Sequence, residues 1–270
     1  MGDAIFYEPH SDDLVLSMVH APLKFLAAGL NVHIVTITKG GAGGPLGSFN
    51  GDNVCGYDGY THNPVKEGYQ RLTTDDIGEL RIKEGRAAAG ALTTIRPDTG
   101  VSQLGQIIYH HGHPDTGFLP DGFGRDPEGP PLPSAISAME DVIRAYIDLF
   151  PNCFHYTMSP TDRHADHAAC GQALRNLKAV NASLANARMF VSKLYWNYTL
   201  YPDVKNQPGL SWYAYSSRKA EFDTVLRTRV IRAFNAWCPP DALAVGYHQV
   251  AGQFANCFGS GVTIANLWHA

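Results

Sequence analysis

Hydrophobic and polar positions fall into two kinds of block along the first two thirds of the chain. Residues 3–8 (DAIFYE), 31–38 (NVHIVTIT), 105–109 and 153–158 (CFHYTM) are short runs rich in β-branched and aromatic side chains, the signature of strands. Between them lie segments with apolar residues at helical spacing. Residues 17–28 carry Met18, Phe25 and Leu26 on one face and stop at Gly29, which suits a helix end. Asp76 and Glu79 have capping-box spacing at the start of an alanine-rich helix that runs to about residue 92, and 134–150 and 167–180 read as two more helices. Strand and helix in alternation predict an α/β, Rossmann-like fold: a mostly parallel sheet with helices on both faces. The rest is less regular, with a β-like run at 189–196, a helical one at 216–237 and an edge strand at 262–268. No repeat, low-complexity tract or linker divides the chain, so residues 1–270 read as a single domain, with a core over 1–180 and a less regular part over 181–270.

Two stretches, 39–74 and 110–133, lack either period, and loops of that length are usually functional or disordered. The first holds Phe49, Tyr57, Tyr60 and Tyr69 among glycines and asparagines, and the second Phe118 and Phe123 among prolines. Such aromatics either fold back on the domain or wall a bulky, partly apolar ligand at the carboxyl ends of the strands.

Composition narrows the class. With 44% hydrophobic and 17% charged residues the chain can bury a sizeable core. Lys and Arg number 21 against 25 Asp and Glu, a net charge of −4 with no basic run, which excludes a phosphate-tracking, nucleic-acid-binding protein. No stretch approaches the roughly 20 apolar residues of a membrane helix. The most apolar N-terminal window, 14–30, is interrupted by His20, Pro22 and Lys24, and Asp3 and Glu8 stand where a secretory signal would be basic. The five cysteines, Cys55, Cys153, Cys170, Cys238 and Cys257, are scattered and form no CxxC. That pattern argues against a zinc ribbon and a disulfide framework, leaves one bridge such as Cys238 to Cys257 open, and points to a reducing cytoplasm. The sequons at Asn181 and Asn197 are then coincidental.

Chemistry concentrates in two clusters. Pro9-His10-Ser11-Asp12-Asp13 follows the first strand, where open α/β sheets place their ligands. One of its carboxylates can join His10 on a cation while the other stays free to act on water; the plain alternative is an acidic helix start. Thr161-Asp162-Arg163-His164-Ala165-Asp166-His167 follows another strand and opens another helix. Its two histidines make sense if one binds metal and the other faces a substrate, with Asp166 fixing an imidazole tautomer. His110, His111 and His113 form a rival cluster without a carboxylate before Asp115, better suited to substrate contact or exposure. His20, His33, His62, His155, His248 and His269 read as ordinary structural histidines. There is no GxSxG, HExxH or GxxxxGK[ST].

PHSDD with HADH resembles the signature pair of the PIG-L/LmbE family of zinc-dependent N-deacetylases. The run from Thr38 to Gly43, the helix with Leu80, Arg81, Glu84, Ala87, Ala88 and Leu92, and His113-Pro114-Asp115-Thr116-Gly117 resemble further family motifs; the likeness spans about residues 1–180. Ser11 and Leu14 depart from the family pattern, as do Asp162 and Arg163 before His164. The resemblance implies Zn2+ held by His10, Asp13 and His167, with Asp12 as general base. It implies protonated His164, held by Asp166, as oxyanion partner and general acid. By the same analogy Arg81 and Asp115 hold sugar hydroxyls, although Arg81 equally suits a pair with Glu84 one helical turn on. The implied activity is removal of the N-acetyl group from an N-acetylglucosaminyl moiety. The aromatic loops favour a glycopeptide aglycone, as in the teicoplanin-type deacetylases, over a small inositol or malate conjugate. Retention of Asp12 argues against a non-catalytic sugar-binding protein, and a single metal position against a phosphoesterase.

Overall fold

The computed structural model describes residues 2–42, 45–98, 100–124, 130–192, 210–213, 219–258 and 266–269. Strand β1 (Ala4–Glu8) is buried throughout and pairs in parallel with β2 (Val32–Thr36) on one side and β4 (Phe154–Met158) on the other. β3 (Ile107–His111) extends the sheet beyond β2, and β5 (Arg188–Val191) extends it beyond β4, both in parallel. The order β3-β2-β1-β4-β5 therefore reverses between β1 and β4, and that switch point is where an open α/β sheet leaves a crevice at its carboxyl edge. Both sequence clusters leave from these two strands.

Two antiparallel strands complete the sheet: β9 (Asn266–His269) beside β5, and β6 (Ser211–Tyr213) outside it. The tail strand expected at the edge is thus an inner one. Of the run expected at 189–196, Val191 ends the strand; residues 193–200, with the Asn197 sequon, lie outside the described residues.

Alternate positions of the central strands feed two cores. Ala4, Phe6, Val32 and Ile34 pack with α1 (His20–Ala27), α4 (Thr74–Ala91) and the C-terminal helices. Ile5, Tyr7 and Val35 pack with α5 (Pro133–Leu149) and α6 (Ala165–Val180). This is the period of two expected of strands covered on both faces. The first helix departs from expectation at its start: a buried π-helical turn, Leu14–Met18, leads directly from Asp13 into α1. Such wide turns commonly sit at functional sites. In α4 the capping box is made by Thr73 and Asp76, three positions before the Asp76–Glu79 pair read from spacing.

The 39–74 stretch contains two short helices, α2 (Pro45–Phe49) and α3 (Pro64–Glu67). Phe49 and Tyr69 are buried in a small third core with Ile77, Leu80, Leu243 and Val245, whereas Tyr57 and Tyr60 are 42% and 70% exposed. Folding back thus accounts for two of the four aromatics. The helical run expected at 216–237 is α7 (Lys219–Val225), a π-helical turn Leu226–Val230 and α8 (Ile231–Phe234). A short hairpin with two-residue strands, β7 (Trp237–Cys238) and β8 (Ala242–Leu243), then leads to α9 (Val245–Phe258). All five cysteines are free, Cys238 and Cys257 included. Among the described residues, no helix is long and apolar enough to cross a membrane.

Candidate metal and catalytic site

The loop after β1 and the first turn of α6 meet at the switch point. His10 Nδ1 lies 3.2 Å from His167 Nε2 and 3.3 Å from Asp13 Oδ2, and His167 Nε2 lies 3.2 Å from the same oxygen. Three donor atoms from two distant segments thus form a nearly equilateral triangle. An ion bonded at about 2.0–2.2 Å in tetrahedral geometry spaces its ligand atoms about 3.4 Å apart. The triangle therefore fits one face of such a coordination shell, and its N, N, O chemistry suits a divalent transition metal.

Carboxylates stand behind both imidazoles. Asp166 Oδ2 lies 3.3 Å from His10 Nε2, and Asp162 Oδ2 lies 3.2 Å from His167 Nδ1. A carboxylate behind a ligating imidazole fixes its tautomer and raises its basicity. Asp166 was expected to hold His164; its other oxygen instead accepts the Gly124 N–H at 2.6 Å, so the carboxylate is anchored toward His10. That approach requires glycine, because a Cβ at Gly124 would sit 2.4 Å from the Ala165 backbone. Asp162 was noted in the sequence only as a departure before His164, and its distance from His167 along the chain hid the pairing.

The electrostatics favour a cation. Burial opposes charge on His10, but the Asp13 and Asp166 carboxylates raise it to about 9. Burial likewise opposes charge on His167, yet Asp13 and Asp162 hold it well above the ordinary imidazole range. Asp13 is itself held well below the usual carboxylate range by both imidazoles, against its burial. Four aspartates, Asp12, Asp13, Asp162 and Asp166, are gathered here, and Arg81 reaches one of them.

His164 is the N-cap of α6, and its ring stands edge-on to His10 at 4.9 Å between centroids. Nitrogens of His10, His164 and His167 lie within 4.8 Å of one another. Burial, and then the flanking His167 and His10, lower His164 to about 4. Its Nδ1 is buried without a hydrogen-bond partner.

Arg81 is 4% exposed and resolves the two readings of its role in a third way. Its guanidinium donates to Asp12 Oδ1 at 3.0 Å and to the Gly40 carbonyl at 2.6 Å. Glu84 instead accepts the Val245 and Gly246 N–H groups at 2.7 and 2.8 Å, tying α4 to the start of α9. Ser11, in the place of the family's usual proline, donates to the Arg81 carbonyl at 3.0 Å. Gly85 admits this contact, since a Cβ there would meet the Ser11 carbonyl at 2.3 Å.

Two cavities of about 260 and 190 Å3 share His10, Arg81, His164 and Gln249. Gln249, on α9, and Asp121, which accepts the Gly40 and Ala42 N–H groups at 2.7 and 2.8 Å, carry no local motif and were not read from the sequence. Asp115 lies outside this group, exposed on the turn closed by His113 and Gly117. The HHGH rings diverge: His110 stacks on His33, His111 on Phe118, and His113 accepts the Asp115 N–H. A more apolar cavity of about 290 Å3, lined by Phe25, Phe154, Tyr156 and Trp268, shares no residue with the site.

The family model described as PIG-L, GlcNAc-PI de-N-acetylase, matches residues 5–178 and so includes both clusters. The chain belongs to this family. No curated protein sequence matches this PIG-L member. Among solved structures it is similar to a deacetylase triple mutant involved in the teicoplanin biosynthetic pathway, at 19% identity over 99% of this chain and 96% of that one, with a TM-score of 0.60. It is also similar to the A40926 pseudoaglycone deacetylase, at 18% identity over 99% and 96%, with a TM-score of 0.51. The zinc-inhibited form of teicoplanin deacetylase gives 16% identity over 99% and 97%, with a TM-score of 0.53. At these identities the likeness concerns the fold, which is that of the PIG-L deacetylases.

Proposed function

We propose that this PIG-L protein is a zinc-dependent N-deacetylase that hydrolyses the N-acetyl group of an N-acetylglucosaminyl moiety on a larger, aromatic glycopeptide aglycone. The observation that carries the reading is the His10–Asp13–His167 triangle, at ligand spacing, with Asp12 next to it in the chain. In this reading those three residues hold the metal. When bound, zinc supplies a Lewis acid and acidifies the water that attacks the amide.

The chain's own groups do the rest. Arg81 fixes Asp12 through one oxygen, leaving the other to receive a proton from the attacking water. His164, at the mouth of α6, donates a hydrogen bond to the acetyl oxygen as charge develops there, and it then relays to the departing amine the proton that Asp12 took from the water, so both groups end in their starting states. Asp166 and Asp162 keep His10 and His167 in their ligating tautomers. Arg81 lines both cavities and so also faces the sugar, whereas Asp115 lines neither. The exposed rings of Tyr57 and Tyr60, together with the glycopeptide-pathway structures that share the fold, favour an aromatic aglycone. The free cysteines fit a reducing cytoplasm.

The test is incubation of the zinc-loaded chain with an N-acetylglucosaminylated glycopeptide and, separately, with N-acetylglucosaminyl-inositol, followed by mass analysis. Acetyl loss from the glycopeptide is expected. Turnover of the inositol conjugate alone overturns the aglycone assignment, and turnover of neither overturns the deacetylase reading.

A further inference from the structure

A second group of donors converges away from the catalytic cluster. Cys55, Asp58 and His62 come from the stretch between α2 and α3, and His248 comes from the first turns of α9. One ligand atom from each of the four lies within 4.8 Å of the others. Cys55 and His62 are buried, at 2% and 7% exposure, and the His248 side chain is 4% exposed.

Each group is held from behind by a different partner, leaving its inner atom facing a common centre. His62 Nδ1 lies 3.0 Å from Glu67 Oε2, and His248 Nδ1 donates to the Ala244 carbonyl at 2.8 Å. The two Nε2 atoms are buried without a hydrogen bond and face Asp58 Oδ2 at 3.3 and 3.5 Å. The other oxygen of Asp58 accepts the Tyr60 N–H at 2.9 Å. The Cys55 sulfur accepts the Tyr57 N–H at 3.4 Å. Two buried imidazoles aimed at one carboxylate and one sulfur, each backed by a carboxylate or carbonyl, form the outer shell characteristic of a metal centre.

We propose that Cys55, Asp58, His62 and His248 form a structural zinc site, distinct from the catalytic one. Four protein ligands of S, N and O type fill a tetrahedral shell and leave no open corner, which marks a structural rather than a catalytic ion. Thiolate and carboxylate together would neutralise the divalent charge, with Asp58 closing the solvent side of the site at 25% side-chain exposure. The ion pins the aromatic loop of Tyr57 and Tyr60 to α9, the helix that presents Gln249 to the catalytic cavities. It orders the wall of the substrate cleft from outside.

The two sites are separable because a thiolate belongs to the donor set of the new one alone. The full chain is produced with Co2+ in place of zinc, and its metal content and electronic absorption are measured. The wild type is expected to hold two metals per chain and to show a thiolate-to-cobalt charge-transfer band. Cys55→Ser loses the band and about half of the metal, whereas His10→Ala loses about half of the metal and keeps the band. Chelator should lower the Tm of His10→Ala, in which the second site alone is loaded. A wild-type protein with one metal and no thiolate band overturns the proposal even if Cys55→Ser fails to fold. So does a band that persists in folded Cys55→Ser.

Discussion

His10 Nε2 and Asp166 Oδ2 face each other at 3.3 Å across two segments 156 residues apart, while the opposite nitrogen of the same ring completes the His10–Asp13–His167 triangle. In the proposed function Asp166 is a positioning residue, acting through His10. Asp166→Asn keeps an oxygen for the Gly124 N–H but removes the negative charge behind the imidazole. Metal affinity should fall about 10–100-fold, measured by competition against a chelator, with saturating zinc restoring most of the activity. Unchanged affinity would show that the contact is incidental.

Asp12 tests the chemistry separately from metal binding. Its Oδ1 accepts from Arg81 at 3.0 Å, and an asparagine side-chain oxygen can still accept that bond. Asp12→Asn should fold and retain its metal but lose about 10²–10⁴ in kcat, the usual contribution of a positioned general base. Near-normal turnover with full metal content would sink the assignment, and loss of metal would place Asp12 in the coordination shell instead.

Legibility in the sequence followed how local each signal was. The strand–helix alternation and the motif residues after β1 and β4 read directly, because a turn and its neighbouring helix end lie within a few residues of one another. Side-chain direction did not. Spacing placed Asp166 next to His164, but the helical start at Ala165 and the Gly124 N–H turn its carboxylate to His10. Arg81 and Glu84 had helix-pair spacing, yet each found a stronger partner on another element: Asp12 for one, two backbone amides for the other. Burial decides such cases, since a buried charge must be satisfied wherever its partner lies. His62 and His248 read as ordinary histidines because the residues between them span most of the domain. The insertion of β9 between β5 and β6 was equally hidden, because pairing partners along a sheet edge leave no local pattern.

Glu84 links α4 to the C-terminal third. It is 5% exposed and accepts both leading amides of α9. Glu84→Ala leaves two buried N–H groups without an acceptor, at about 1–3 kcal/mol each. The expected loss is roughly 2–5 kcal/mol, on the order of 10 °C in Tm by calorimetry. Glu84→Gln retains one acceptor oxygen and should recover about half of that loss. A Glu84→Ala protein with wild-type Tm would show that water takes over the amides.

His155 should make the fold sensitive to acid independently of any metal. It lies on β4 with 3% exposure, stacks on Tyr7 and bonds the Tyr7 hydroxyl through Nδ1 at 2.9 Å. Burial lowers it from 6.5 to about 4, so the folded state holds it neutral where the unfolded chain binds a proton. A depressed folded pKa gives stability that is complete above about pH 6.5 and lost as pH falls toward 4. At 1.36 kcal/mol per unit the full swing is about 3 kcal/mol. His155→Asn places an amide oxygen near the Nδ1 position, keeps an acceptor for Tyr7 and cannot titrate in this window. Denaturant unfolding at several pH values should therefore show a shallower loss of stability between pH 6.5 and 4 in the variant, even if its stability at neutral pH is lower. Parallel curves for the two proteins would show that the proton goes elsewhere, with Tyr7 and its neighbours adapting to a charged ring.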